Sequence, residues 1–358
     1  MRSWTWKKNP SKLSITSISK YEDSRDPNVL VGLSDLDDVL SLSHRNILEI
    51  QGPAASGKTH LLYHMVMNCI TPHTHTSINF DGKGMAAVIF DVDSSFSVWR
   101  LRQLLHARLC KASPTSSPDE ISDLIDESLR RLHIFRPTSS TQLATSIVHL
   151  PSYHNAFIPN EEIGILAVDS ISSFYWPDRL TIEHTRNTFP LKNQKGASIL
   201  TSPFRPVLEA IQQFRSSHNA TVVLTTWGLN VDASPPPGAG MPTLYKRLLR
   251  PFVDFAQVEQ SAAQNSLARY DLSPSFLPLT YHITLSPIHI LPSLHDTSPY
   301  EAQTQQNSHQ FAGHGQALAV IQSQNGTKPP RALCIGDNEV SFRPSIALNR
   351  DLTFDPSP

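Results

Sequence analysis

Residues 52–59 read Gly52-Pro53-Ala54-Ala55-Ser56-Gly57-Lys58-Thr59. This G-x-x-x-x-G-K-[ST] spacing constrains the fold more than any other stretch of the chain. A triphosphate is a chain of anionic oxygens, and a ring of backbone N–H groups can hold it. Gly52 and Gly57 let the backbone bend with no side chain in the way. Lys58 reaches the terminal phosphates, and Thr59 supplies a hydroxyl to Mg²⁺ and opens a helix whose N-terminal dipole faces the anion. The motif needs a strand before it and a helix after it, and the flanks supply both. Asn46 to Ile50 is a half-apolar run of strand type, and Leu61, Leu62, Met65, Val66, Cys69 and Ile70 recur at helical spacing.

The rest of the chain extends that unit. Ala86 to Phe90 reads as a second strand, ending at Asp91-Val92-Asp93. Phe96 to Leu109 is helical, with Trp99, Leu101, Leu104 and Leu105 as its expected buried set. Ser117-Pro118-Asp119-Glu120 starts another helix, with Ser117 as N-cap and Glu120 completing a capping box. Leu132 to Phe135 is a short strand, and Ser139 to Leu150 a helix ended by Pro151. Ile163 to Val168 is a buried parallel strand by composition, tipped by Asp169, an acid placed to hold the water shell of Mg²⁺. A helix at 203–217 and the strand Thr221 to Thr226 follow. Strands alternating with helices predict an α/β fold, a mostly parallel twisted sheet flanked by helices, with its ligand at the carboxyl ends of the strands. Lys58, Asp93, Asp169 and Thr226 are expected near one crevice. Late strands at Tyr281–Leu285, Gln316–Gln322 and Ala332–Ile335, with a turn at Asn325-Gly326, add an antiparallel part.

Composition limits the partners. Lys plus Arg is 30 against 31 Asp plus Glu, so there is no global basic field, and a nucleic-acid contact has to be local or shared with a partner. The 3 cysteines stand far apart, which points to a reducing compartment. No run approaches about 18 apolar residues, so no membrane span is expected, and no secretory signal is visible. The basic, serine-rich first twenty residues could suit a mitochondrial leader, but Pro10 interrupts the helix such a leader needs. The 28 prolines crowd certain stretches, read as loops and insertions. The expected organisation is a disordered tail at 1–28, one domain at 29–343 with loop insertions at about 179–205, 228–250 and 291–314 (the last expected to be disordered), and a tail at 344–358.

By these residues the chain resembles the RecA-type recombinases, and more narrowly their eukaryotic paralogues, as a variant with insertions. Four stretches carry the resemblance: Gly52 to His64; Val88-Ile89-Phe90-Asp91-Val92-Asp93; Val168-Asp169-Ser170-Ile171-Ser172-Ser173-Phe174-Tyr175-Trp176-Pro177-Asp178-Arg179; and Cys334 to Phe342. The third is the most specific, because Phe-Tyr-Trp-x-Asp-Arg after the acid-tipped strand is not generic to phosphate-loop proteins. The resemblance implies a RecA-like ATP-binding core with Mg²⁺, nuclear, assembling with other RecA-type paralogues as a hetero-oligomer. It implies work on single-stranded or branched DNA in homologous-recombination repair, beside the strand-exchange recombinase. It also implies that two loops face DNA, here about 179–205 and 228–250. Arg179, Arg186, Lys192, Lys195 and Arg205 stand in the first, and Lys246, Arg247 and Arg250 in the second. Such local excesses suit phosphate contacts, and equally suit solvated loops. No small helix-hairpin-helix DNA-binding module fits in the short N-terminal segment.

Two departures bear on catalysis. Active RecA-type ATPases carry glutamate where Asp93 stands. Aspartate is one methylene shorter, which weakens it as the residue that orients the attacking water. The polar sensor position after the fourth strand reads Thr226-Trp227. ATP binding with slow or no hydrolysis is therefore expected. Three other readings stay open: an independent DNA-dependent ATPase, an interaction subunit with a vestigial nucleotide site, and, more remotely, a small-molecule kinase with its lid at Arg179–Arg205. His60 and His64, four apart on a helix, lack the glutamate of a zinc-protease motif and are read as two partly exposed histidines. His73 and His75 are read as solvated loop residues. Ser170 lies in no nucleophile elbow and is read as packing beside Asp169. Tyr175 and Trp176 could stack on bases or pack at a rim or partner contact.

Overall fold

The computed structural model describes residues 34–37, 40, 42, 44–75, 78–188, 204–229, 245, 249, 277, 279–287, 315–323, 326–328, 331–335 and 340–344. The expected tails, apart from Pro344 at the end of the last strand, and the 291–314 insertion lie outside these. In chain order the elements are α1 (Ser34–Asp37), β1 (Ile47–Gly52), α2 (Lys58–Ile70), β2 (Thr74–His75), β3 (Ile78–Asn79), β4 (Ala86–Asp91), α3 (Val98–Ala112), α4 (Pro118–Arg130), β5 (Leu132–Phe135), α5 (Ser140–Phe157), β6 (Ile163–Asp169), α6 (Tyr175–Thr188), α7 (Phe204–His218), β7 (Thr221–Trp227), β8 (Tyr281–Pro287), β9 (Gly315–Ser323), β10 (Gly326–Thr327), β11 (Arg331–Ile335) and β12 (Val340–Pro344).

One large sheet runs β12-β11-β9-β8-β1-β7-β6-β4-β5, with β10 paired to β9. From β8 to β5 all neighbours are parallel. From β8 to β12 they are antiparallel. The fold is thus α/β with a mostly parallel mixed sheet and a late antiparallel extension, an arrangement compatible with a RecA-like fold.

The apolar runs are continuous because both faces are covered. Leu48, Ile50, Ala87, Ile89 and Val223 face one core, shared with Leu61, Leu101, Leu104 and Ile121 of α2, α3 and α4. Ile47, Val88, Phe90, Val222 and Leu224 face the other, shared with Leu143 and Ile147 of α5 and Val207 and Ile211 of α7. Successive strand residues alternate between the two cores, the period of two that a pleated strand imposes.

The capping box at α4 is formed: Ser117 Oγ accepts from Glu120 N at 3.2 Å, and Glu120 Oε2 accepts from Ser117 N at 2.9 Å. Ser117→Ala is expected to lower stability by about 1 kcal/mol, seen as a lower urea midpoint with unchanged slope. An unchanged midpoint would mean water caps this helix equally well.

Several local expectations need correcting. Pro151 does not end α5, which runs on to Phe157 with Pro151 inside it. Packing holds the last turns: the Tyr153 ring lies edge-on to Phe135 at 5.1 Å, and His154 Nε2 lies 2.6 Å from Glu161 O. Trp99 is 69 % exposed, not buried. α3 starts at Val98, so Trp99 falls in its first turn, and the buried stripe is Leu101, Leu104, Leu105 and Leu109. His64 is buried, because α2 lies on the sheet and buries nearly its whole circumference. His75 belongs to the small β2–β3 hairpin. The segment read as a loop from 179 begins as helix, since α6 extends to Thr188. The strand β12 was not expected and closes the antiparallel edge against β11. No helix among the described residues is long and apolar enough to cross a membrane.

Candidate nucleotide site

The loop between β1 and α2 is shaped by close approach. Gly57 has φ 93°, where side chains are strained, and a Cβ there would lie 2.4 Å from Ile335 Cδ1 of β11. A Cβ on Gly52 would lie 2.6 Å from Leu285 O of β8. The antiparallel extension therefore packs directly on the loop and requires both glycines bare. α2 has no acid in its first turn and no side-chain N-cap bond, which leaves its leading N–H groups for an anion.

Lys58 opens α2 and is folded onto its own loop. Its Nζ donates to Gly52 O at 2.9 Å and to Pro53 O at 2.6 Å. Burial pushes its pKa down from the usual ammonium range, while Asp169 and Asp93 pull it back up. Gly52 O also accepts from Gly228 N at 3.0 Å. The loop is thereby tied to the end of β7.

Asp169 ends β6 with its carboxyl almost wholly buried. Its Oδ1 accepts from Thr225 Oγ1, and its Oδ2 from Thr59 Oγ1 at 3.0 Å and Ser95 Oγ at 3.4 Å. Burial pushes this carboxyl above the usual range; the Thr225 bond opposes that, nearby Asp93 adds to it, and Thr59 and Lys58 oppose it. The structure thus brings together Gly52, Gly57, Lys58, Thr59, Asp93 and Asp169. Pro53, Ala54, Ala55 and Ser56 form the intervening turn, with Ala55 at φ 59°.

The two aspartates after β4 differ in role. Asp91 is buried and structural: its Oδ1 accepts from Phe96 N at 3.2 Å and its Oδ2 from Arg136 Nε at 3.0 Å. Asp93 is exposed, and its Oδ1 accepts from Ser95 N at 3.1 Å, a carboxylate turned onto its own loop. Thr226, at the sensor position, donates instead to Glu49 Oε1 at 2.9 Å. Trp227 is 38 % exposed, and its N–H donates to Ser172 Oγ at 2.8 Å. Ser170 is buried, its hydroxyl 2.8 Å from that of Ser172.

Sequence reasoning missed Ser95 and Thr225 as partners of Asp169. The available signals were a threonine at the carboxyl end of a buried strand and a serine two positions after Asp93. Of the candidate DNA residues, Arg179 is on α6, where its Nε donates to Glu183 at 2.8 Å and its guanidinium lies 5.7 Å from the Trp176 ring centre. Arg205 is likewise engaged with Glu209 at 2.8 Å. Arg186 is described only as part of the α6 backbone, and Lys192, Lys195, Lys246, Arg247 and Arg250 lie outside the described residues. Among the described residues, no group of three or more His, Cys, Asp or Glu side chains is placed to hold a metal. A Mg²⁺ ion would not need such a group, since this hard cation keeps several waters and uses one or two carboxylates with substrate phosphates.

No protein-family model matches the chain. A DNA repair protein XRCC2 homolog of Arabidopsis thaliana is 28 % identical over 206 residues, covering 50 % of this chain and 54 % of the relative. The DNA repair protein XRCC2 of Mus musculus is 33 % identical over 138 residues, covering 38 % and 44 % respectively. The chain spans about half the length of the curated relatives it matches. These similarities support the resemblance read from the sequence: the chain is similar to proteins named XRCC2.

Proposed function

We propose that this chain binds Mg·ATP through residues 52–59 and serves as an ATP-binding subunit in homologous-recombination DNA repair in the nucleus. In this role it assembles with other RecA-type paralogues and assists the strand-exchange recombinase on single-stranded DNA. The observation that carries the ATP reading is the convergence of Thr59 on Asp169 beside the buried Lys58. The repair role is supported by the similarity to proteins named for DNA repair.

Within this reading Lys58 leaves its two carbonyls for the terminal phosphates, and the N–H groups of the loop hold the remaining oxygens. Thr59 and Asp169 hold the cation, directly and through water. Bound Mg²⁺ supplies positive charge against the phosphates. The donor set fits it, being oxygen only, hydroxyl and carboxylate. Asp93 is a poor orienter of water, since its carboxylate is short and committed to Ser95.

The test is Mg·ATP binding and hydrolysis by the purified chain, with and without single-stranded DNA. Expected is binding with turnover well below about 1 s⁻¹, under the low end of ordinary enzymes. DNA-stimulated turnover of several per second would replace this reading with that of an independent ATPase. The interaction-subunit reading draws on a different observation, the exposed Trp176 and Leu180 on α6 and Trp227 at the end of β7. It requires Lys58→Ala to be tolerated in cells while substitutions on that surface are not.

A further inference from the structure

Ser95 hydrogen-bonds to both carboxylates of the site. Its N–H donates to Asp93 Oδ1 at 3.1 Å, and its hydroxyl donates to Asp169 Oδ2 at 3.4 Å. Ser94, at φ 58°, makes the turn that lets one residue serve both. Oδ2 is also the oxygen that Thr59 reaches, while Thr225 occupies Oδ1. The carboxylate is thus fixed from both sides, and one of the donors belongs to the loop that carries Asp93. Ser95 thus places a donor on each of the two acids. Its own side chain is exposed, so it contributes little to the core.

We infer that Ser95 is a positioning residue of the Mg²⁺·nucleotide site, tying the Asp93 loop to Asp169 so that the carboxylate keeps the orientation in which Thr59 meets it. This rests on the nucleotide-binding reading above. Without the Ser95 hydroxyl, Asp169 Oδ2 keeps Thr59 alone, and the loop loses its side-chain tether to β6.

The experiment titrates Mg²⁺ against binding of a fluorescent ATP analogue to the full chain, for wild type, Ser95→Ala and Ser95→Thr, with a parallel series in EDTA. For Ser95→Ala, the Mg²⁺ needed for half-maximal binding is expected to rise about threefold to tenfold, the net effect of one ordinary hydrogen bond, as suits a bond of 3.4 Å from an exposed serine. Metal-free affinity should stay unchanged, and Ser95→Thr, which keeps the hydroxyl, should restore the wild-type curve. An unchanged Mg²⁺ response in Ser95→Ala overturns the inference. An equal loss in EDTA also overturns it, since that marks general loosening of the loop. Wild type that binds no nucleotide in either series removes the nucleotide-binding reading and the inference with it, and is recognised because wild type itself fails.

Discussion

Lys58→Ala is expected to weaken Mg·ATP binding by at least about 100-fold while leaving the chain folded. Charge-assisted hydrogen bonds contribute roughly 1.5–3 kcal/mol each, and the ammonium has more than one phosphate oxygen to reach. The binding effect is large because Lys58 is already buried in the free chain. Its amine exchanges two carbonyls for anionic oxygens at little further cost in hydration. The stability effect is small for a separate reason. Gly52 O keeps Gly228 N as a donor when the lysine is gone, and only Pro53 O, on a half-buried residue, loses its partner. Burial already disfavours the charged lysine, so its removal also relieves a cost. The change in unfolding free energy should stay within about 1 kcal/mol. Nucleotide titration and urea unfolding of the same preparation check both halves. Unchanged affinity would mean that the amine stays on its own loop, and the site would then be structural.

The sequence made the loop readable because the motif is local: all eight residues, the strand before and the helix after lie within one short stretch. The parallel strands were readable for a related reason. Burial on both faces leaves runs such as Ala86–Phe90 and Ile163–Val168 almost free of polar residues. What stayed hidden was set by contacts distant in sequence. Thr59 and Asp169 are 110 residues apart, and Ser95 and Asp169 are 74 apart. Nothing in a serine-rich turn announces which carboxylate it will meet. Trp99 is exposed because an apolar stripe fixes a helical face only relative to the first helical residue, here Val98. Pro151 does not end its helix because the turns beyond it have something to pack on: Tyr153 meets Phe135. Thr226 reads as a polar group beside the nucleotide, but strand alternation sends neighbouring residues to opposite faces. Thr225 therefore meets Asp169 while Thr226 meets Glu49.

Glu49 itself is expected to give the largest loss of stability among single polar substitutions in this region. It stands mid-strand in β1, in a run that reads from sequence as half-apolar, and it has no exposed surface. One carboxylate serves both neighbouring strands. Thr226 Oγ1 of β7 donates to its Oε1 at 2.9 Å, and His282 Nε2 of β8 lies 3.6 Å from its Oε2. β8 begins the antiparallel extension that packs on Gly52 and Gly57, so the pair joins the parallel half of the sheet to the part that shapes the loop. Glu49→Ala takes a shared partner from two buried polar side chains and leaves a cavity between three central strands. Taking the acceptor from a buried donor costs about 1–3 kcal/mol, and the cavity adds about 2 kcal/mol or more. Against a total of roughly 5–15 kcal/mol, that brings the chain close to unfolding at physiological temperature. Glu49→Gln keeps the shape and an acceptor for Thr226, and should lose only about 1–2 kcal/mol. Urea denaturation of the three proteins separates the cases. Both variants within about 1 kcal/mol of wild type would mean that the backbone ladders to Val222–Trp227 and Tyr281–Thr284 hold β1 without help. A large loss in both would place the stabilisation in the negative charge beside His282 rather than in the bond to Thr226.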